Sequence, residues 1–126
     1  MAAATADEKR RAGGALRVPF VRRCQLDYGE GHIDSAFIVN INPLGAYVAH
    51  ETIPTLGLTV VFRFQVPGSE REVVADGVVA WTNPHQEHPV HSLPPGFGVA
   101  FRNLSDDARS RIEQIVTDYL ARQARD

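Results

Sequence analysis

The chain has 126 residues, 13 basic against 15 acidic, and a formal net charge of −2 with its histidines neutral. That length suits one domain able to bury a modest core without metal or disulfide support. The charge excludes bulk attraction to nucleic-acid polymers or anionic membranes, so any anion binding must be local.

The opening MAAATADEKRRAGGALR lacks the apolar stretch of a secretory leader, and no later run approaches the roughly 20 apolar residues of a membrane span. Cys24 is the one cysteine, which excludes an intramolecular disulfide and fits a reducing compartment. A cytoplasmic protein with no membrane span is expected. Residues 1–16 are mostly small or charged, with Gly13 beside Gly14, and offer too little apolar surface to offset the entropy of ordering. They read as a flexible tail ahead of a single domain over 17–123.

From Val18 the texture changes. VPFVRRCQLDYG alternates polar and apolar positions and reads as a first strand; HIDSAFIVNIN is a second, and the glycines of YGEGH between them suit a tight hairpin. AYVAH is a short third strand. TIPTLG connects it to LTVVFRFQV, where Phe62 and Phe64 share one face while Arg63 turns to water. PGSE is a turn signature, and REVVADGVVAWTN is a long fifth strand whose Gly77 suggests a bulge or bend. The loop PHQEHPVHSLPP then leads into GFGVAF, the sixth strand. Strands at this spacing without an intervening helical pattern predict a barrel or sandwich, mainly β, over about 18–102.

At the end the period switches. Ser105 is an N-cap, Asp106 and Asp107 put negative charge on a helix's first turn, and Ile112, Ile115, Val116, Tyr119 and Leu120 form one apolar stripe. One helix is predicted over about 106–122, its stripe on the barrel and Arg109, Arg111 and Arg122 solvated. Trp81, Phe62, Phe64, Phe97 and Phe101 are expected to fill the barrel and the helix interface.

Few residues carry chemistry. His85, His88 and His91 recur every third position in the proline-rich loop, with His32 and His50 elsewhere, but no cysteine stands near the loop and the spacing is not that of a helix-borne site. A solvated loop without metal is expected. Cys24 lies within a strand, where a buried small apolar role fits better than a nucleophile. No phosphate loop with lysine, nucleophile elbow or paired catalytic carboxylates can be assembled, so no enzyme and no cofactor are expected. The stretch VNINPLGAYV is different: Asn42-Pro43 starts a turn, Gly45 can take a positive φ, and Asn40 and Asn42 also offer amides able to read a base edge.

Three stretches in this order resemble the PilZ domain, a bacterial receptor module for cyclic di-GMP: RVPF (17–20), NINPLG (40–45), and GVVAWTNP followed by PGFGVAFRNLSDDARSRIEQIV. The resemblance covers about 17–120 and implies a six-stranded antiparallel β-barrel followed by one C-terminal α-helix. It implies a nucleotide site built from two arginines with three residues between them and from Asp or Asn, any residue, Ser, two residues, Gly. Arg17 matches the second arginine, Asn40 the first turn position and Gly45 the last. Gly13 stands where the first arginine belongs, and Asn42 replaces the serine. Guanidinium groups give forked donors to phosphates and guanine edges, so a missing one removes much of the clamp. Arg11, Arg22 and Arg23 are the candidate substitutes.

The resemblance thus implies a regulatory module of a bacterial signalling pathway, acting through protein partners in a process such as motility or surface behaviour, with cyclic di-GMP binding weak or lost. The alternative is a working receptor that uses Arg17 and the NINPLG turn. A six-stranded barrel outside this family, with another small ligand, is the reading that failure of the first and last strands to pair would support.

Overall fold

The computed structural model describes residues 16–84 and 93–124. They form β1 (Val18–Asp27), β2 (Ile33–Asn42), β3 (Gly45–Ala49), β4 (Thr59–Gln65), β5 (Glu72–Asn83), β6 (Gly96–Arg102) and α1 (Asp106–Ala124). The strands close into a barrel in the order β1-β2-β3-β6-β5-β4, every neighbour antiparallel.

The β1–β2 hairpin turns as the glycines predict. Gly29, Glu30 and Gly31 all have positive φ, Tyr28 N–H donates to the His32 carbonyl at 2.9 Å, and Gly29 N–H donates to Asp27 Oδ1 at 2.8 Å. The first and last strands do not pair. Instead β1 closes the barrel on β4 through Cys24–Asp27, and β6 lies between β3 and β5. That placement needs close backbone approach: a Cβ at Gly96 would run into the Val48 carbonyl oxygen.

Strand alternation sends one face inward. Leu26, Ile38, Ile41, Phe62, Phe97 and Val99 are fully or almost fully buried and share one core with Val18, Cys24, Phe64, Val73 and Val79. Gly77 sits at no bulge, contrary to its sequence reading. It leaves room for the Val99 side chain, and the β5–β6 register shifts further on, between Val79 and Trp81.

The helix is capped as expected: Ser105 Oγ accepts from Ala108 N–H at 3.0 Å and its carbonyl from Arg109 N–H at 2.9 Å. Ala108, Ile112 and Ile115 join the barrel core, Val116 and Tyr119 pack against it, and the stripe ends there, with Leu120 exposed. Arg111 is not solvated. Its Nε lies 3.2 Å from Asp107 Oδ2, and its Nη1 donates to the Arg71 carbonyl at 3.2 Å, which ties the helix to the β4–β5 turn.

Burial pushes the Cys24 thiol up to about 12, a hydrogen bond with the Ala36 backbone opposing the shift. The folded chain keeps this proton where the unfolded thiol, at roughly 8.5, loses it. Stability should therefore be level below that pH and fall through the window up to about 12, by at most about 1.4 kcal/mol per pH unit from this group. Urea unfolding at about pH 8 and about pH 10.5 checks this: Cys24→Ala should lose visibly less stability between the two than wild type, and equal losses would refute it.

Candidate ligand-binding site

The NINPLG turn explains itself and does one thing more. Asn42 closes β2 and is 2% exposed, and its Oδ1 accepts from the N–H groups of Leu44 at 2.8 Å and Gly45 at 3.0 Å. This side-chain mimic of a backbone turn locks Pro43 and Leu44 between the strands. Its Nδ2 donates to the Leu16 carbonyl at 3.2 Å, holding the residue before Arg17. Asn42 thus serves as a positioning residue, its amide engaged with backbone at both ends. Gly45 does not have the positive φ expected of it. Its requirement is steric, because a Cβ would run into the Val99 carbonyl oxygen.

Next to this turn, three strands build an aromatic wall. Tyr47 on β3 and Trp81 on β5 both pair with Gly98 on β6, so the three residues form one row across the sheet. Ala46 and Val48 enter the core, whereas Tyr47, though fully buried, stands outside it. The Trp81 indole lies where a side chain at position 98 would be, and its ring stacks on Tyr47 at 5.1 Å and 24°. Tyr47 Oη donates to the Pro94 carbonyl at 2.5 Å and accepts from Asn83 Nδ2 at 3.0 Å. Trp81 is therefore no filler of the barrel. The recurrence of glycine at 96 and 98 opposite a tryptophan strand was the available signal.

Together these pieces bound a shallow cavity of ≈ 250 Å³ lined by Arg17, Asn42, Leu44, Gly45, Trp81 and Gly98, among others. Arg17 is half-buried, and desolvation lowers its pKa from the ordinary arginine value. No carboxylate pairs with it among the described residues. Among the described residues the cavity offers an anion one guanidinium, beside the Trp81 side chain.

Of the sequence candidates, Arg17, Asn42 and Gly45 thus meet. Asn40 lies two register steps from the Asn42–Gly45 pair, in the row of Tyr47 and Gly98 and paired with Pro19 and Tyr47, and does not line the cavity; its buried Oδ1 has no hydrogen-bond partner. Arg22 and Arg23 lie away from the Arg17 cavity. At about 3.3 Å per residue they stand roughly 16 Å or more along the chain from Arg17, and they line a different depression. Arg22 Nε donates there to the Gln65 carbonyl at 3.0 Å, and Arg23 lies over the Phe37 ring. Arg11 and Gly13 fall outside the described residues, as do His85, His88 and His91. His50 Nδ1 lies 3.0 Å from the Thr52 N–H, which donates to it, and the His32 ring is 4.0 Å from Asp34, so these two rings have local explanations.

A roomier cleft, ≈ 670 Å³, opens elsewhere between Tyr28, Val60, Gly77 and Arg102. Asp27 and Asp76 also line it, which suits an anionic ligand poorly.

The PilZ domain family model matches residues 8–118, and the chain belongs to that family of binding and regulatory modules of the cyclic di-GMP type. Among solved structures it is similar to the PilZ domain of CeSA from a cellulose-synthesizing bacterium, with TM-score 0.58 and 10% identity over 83% of this chain and 98% of that one. It is also similar to the Bacillus subtilis inhibitor of motility MotI/DgrA, with TM-score 0.65 and 16% identity over 84% of this chain but 50% of that one. No relative was found among curated proteins. Family membership rules out the unrelated-barrel reading, even though the first and last strands do not pair.

Because Asn42 both closes the turn and tethers Leu16, its two ends can be separated by substitution. Asn42→Ala should cost about 1–3 kcal/mol for the buried donors left unpaired. Asn42→Asp keeps the acceptor for Leu44 and Gly45 but loses the donor to Leu16. Amide hydrogen exchange should quicken at Leu44 and Gly45 in Asn42→Ala but not in Asn42→Asp; equal protection in wild type and Asn42→Ala would contradict the assignment.

Proposed function

We propose that this chain is a regulatory module that acts through protein partners and whose cyclic di-GMP binding is weak or lost. The observation that carries this is that Arg17 supplies the one guanidinium of the cavity among the described residues, beside Gly45 and Trp81, and that Gly13 occupies the position of the family's other arginine. Each hydrogen bond to a charged group contributes roughly 1.5–3 kcal/mol, so one absent forked contact, with two such bonds, removes about two decades of affinity or more. The cavity's ≈ 250 Å³ also falls below the roughly 300–1,000 Å³ of ordinary small-molecule sites.

Likeness to a protein named as an inhibitor of motility supports a role in motility or surface behaviour. A cytoplasmic setting accords with the absence, among the described residues, of a helix long and apolar enough to cross a membrane.

A working receptor is the second reading, favoured by one feature. Arg17 is partly desolvated with no carboxylate paired to it among the described residues, an arrangement suited to a phosphate or a guanine edge.

Isothermal titration with cyclic di-GMP separates the two. The expected result is little or no heat for wild type and at least a tenfold gain in affinity for Gly13→Arg. Micromolar or tighter binding by wild type, abolished in Arg17→Ala and unimproved in Gly13→Arg, would establish the receptor instead.

A further inference from the structure

A second cationic region lies apart from the Arg17 cavity and has no role in it. The register of β1 against β2 shifts between Pro19 and Arg22, and Val21 emerges 76% exposed. On neighbouring β2, Phe37 is 47% exposed and carries Arg23 over its ring at 5.2 Å. On β4, Arg63 lies 3.8 Å from Glu72 of β5. These side chains, with Arg22, line a depression of ≈ 440 Å³.

Scattered exposed apolar residues need no explanation, but here two share one concavity with three guanidinium groups against one carboxylate. Three positive charges less one negative leave an excess of two, on a chain whose net charge is −2. Arg22 uses its Nε on the Gln65 carbonyl, which fixes the guanidinium while its terminal nitrogens remain forked donors. Arg23 places its guanidinium carbon 5.2 Å from the Phe37 ring centroid, a cation–π contact that favours this position of the charge.

We infer that this face docks an acidic peptide segment of a protein partner, with carboxylates on Arg23 and Arg63 and an apolar side chain between Val21 and Phe37. The inference rests on the partner-binding reading above and gives that partner its chemistry. Charge complementarity selects the occupant. A nucleic-acid polymer would need a continuous basic track rather than a pocket floored by apolar side chains, and the chain's overall negative charge opposes a polyanion beyond the patch. Glu72 acts as an internal competitor for Arg63 and tunes the affinity.

The test is fluorescence anisotropy with a labelled synthetic peptide of alternating glutamate and leucine, alongside a glutamine-for-glutamate control, a DNA duplex and phosphatidylglycerol vesicles. Micromolar binding of the acidic peptide is expected, absent for the control, weakened at least tenfold in Arg23→Glu and in Phe37→Ser, and strengthened severalfold in Glu72→Gln. Arg17→Ala should leave it unchanged, since that residue serves the other cavity. All variants are compared at matched thermal stability, and Glu72→Gln, a gain of binding, cannot be mistaken for misfolding. Failure of the acidic peptide to bind, insensitivity to Arg23→Glu, or tighter Arg23-dependent binding of the duplex or the vesicles would each overturn the inference. None of these outcomes bears on the nucleotide titration, which judges the proposed function through different residues.

Discussion

The outer face of the barrel is organised by the absence of a side chain at Gly98. Tyr47 and Trp81 stand on strands separated by β6, so their backbones are roughly 9–10 Å apart at about 4.8 Å per strand. They stack only because nothing projects between them. Filling that gap displaces the indole, and with it the wall of the cavity. The Tyr47 hydroxyl, carried on the other side of the same stack, holds the Pro94 carbonyl and so anchors the chain just before β6 begins. A single missing Cβ thereby connects sheet packing, the entry to β6 and the shape of the candidate site.

Asn42 performs the corresponding task at the opposite wall. Leu16 is itself exposed and Arg17 precedes β1, so no strand ladder fixes either residue. The amide reaching the Leu16 carbonyl provides the missing constraint. The amide carries its acceptor for the turn and its donor for the segment before β1 on two separate atoms of a longer side chain, whereas a serine hydroxyl combines both roles on one oxygen close to the backbone. The departure from the family's serine therefore has a structural use that is independent of any ligand.

Much of this was legible in the sequence because it is local. Strand alternation, the glycines of the β1–β2 turn, and Ser105 with Asp106 and Asp107 each report on a few neighbouring residues, and the structure bears them out. What escaped depends on pairing at long range. Trp81 looks like core until Gly98 is placed across from it, Gly77 looks like a bulge until Val99 is found against it, and Arg111 looks solvated until the β4–β5 turn brings the Arg71 carbonyl alongside. Arg22 and Arg23 seemed able to replace an arginine at position 13. The structure places them in a different depression from Arg17, and the register shift after Pro19 fixes which neighbours they meet.

A barrel closed by hydrogen bonds offers a partner no free edge to extend, and a filled interior offers no ligand a central chamber, so recognition must use side chains of the outer face. Here the basic side chains fall into separate places rather than one field. Arg17 and the Arg22–Arg23 pair line separate depressions that share no lining residue. Affinity at one place can accordingly fall without altering the other, as would be required of a module that gives up a nucleotide while keeping a protein partner. The same separation explains why a chain of net charge −2 can still present cations to an anion: the attraction is confined to the few ångströms over which a forked guanidinium makes its hydrogen bonds.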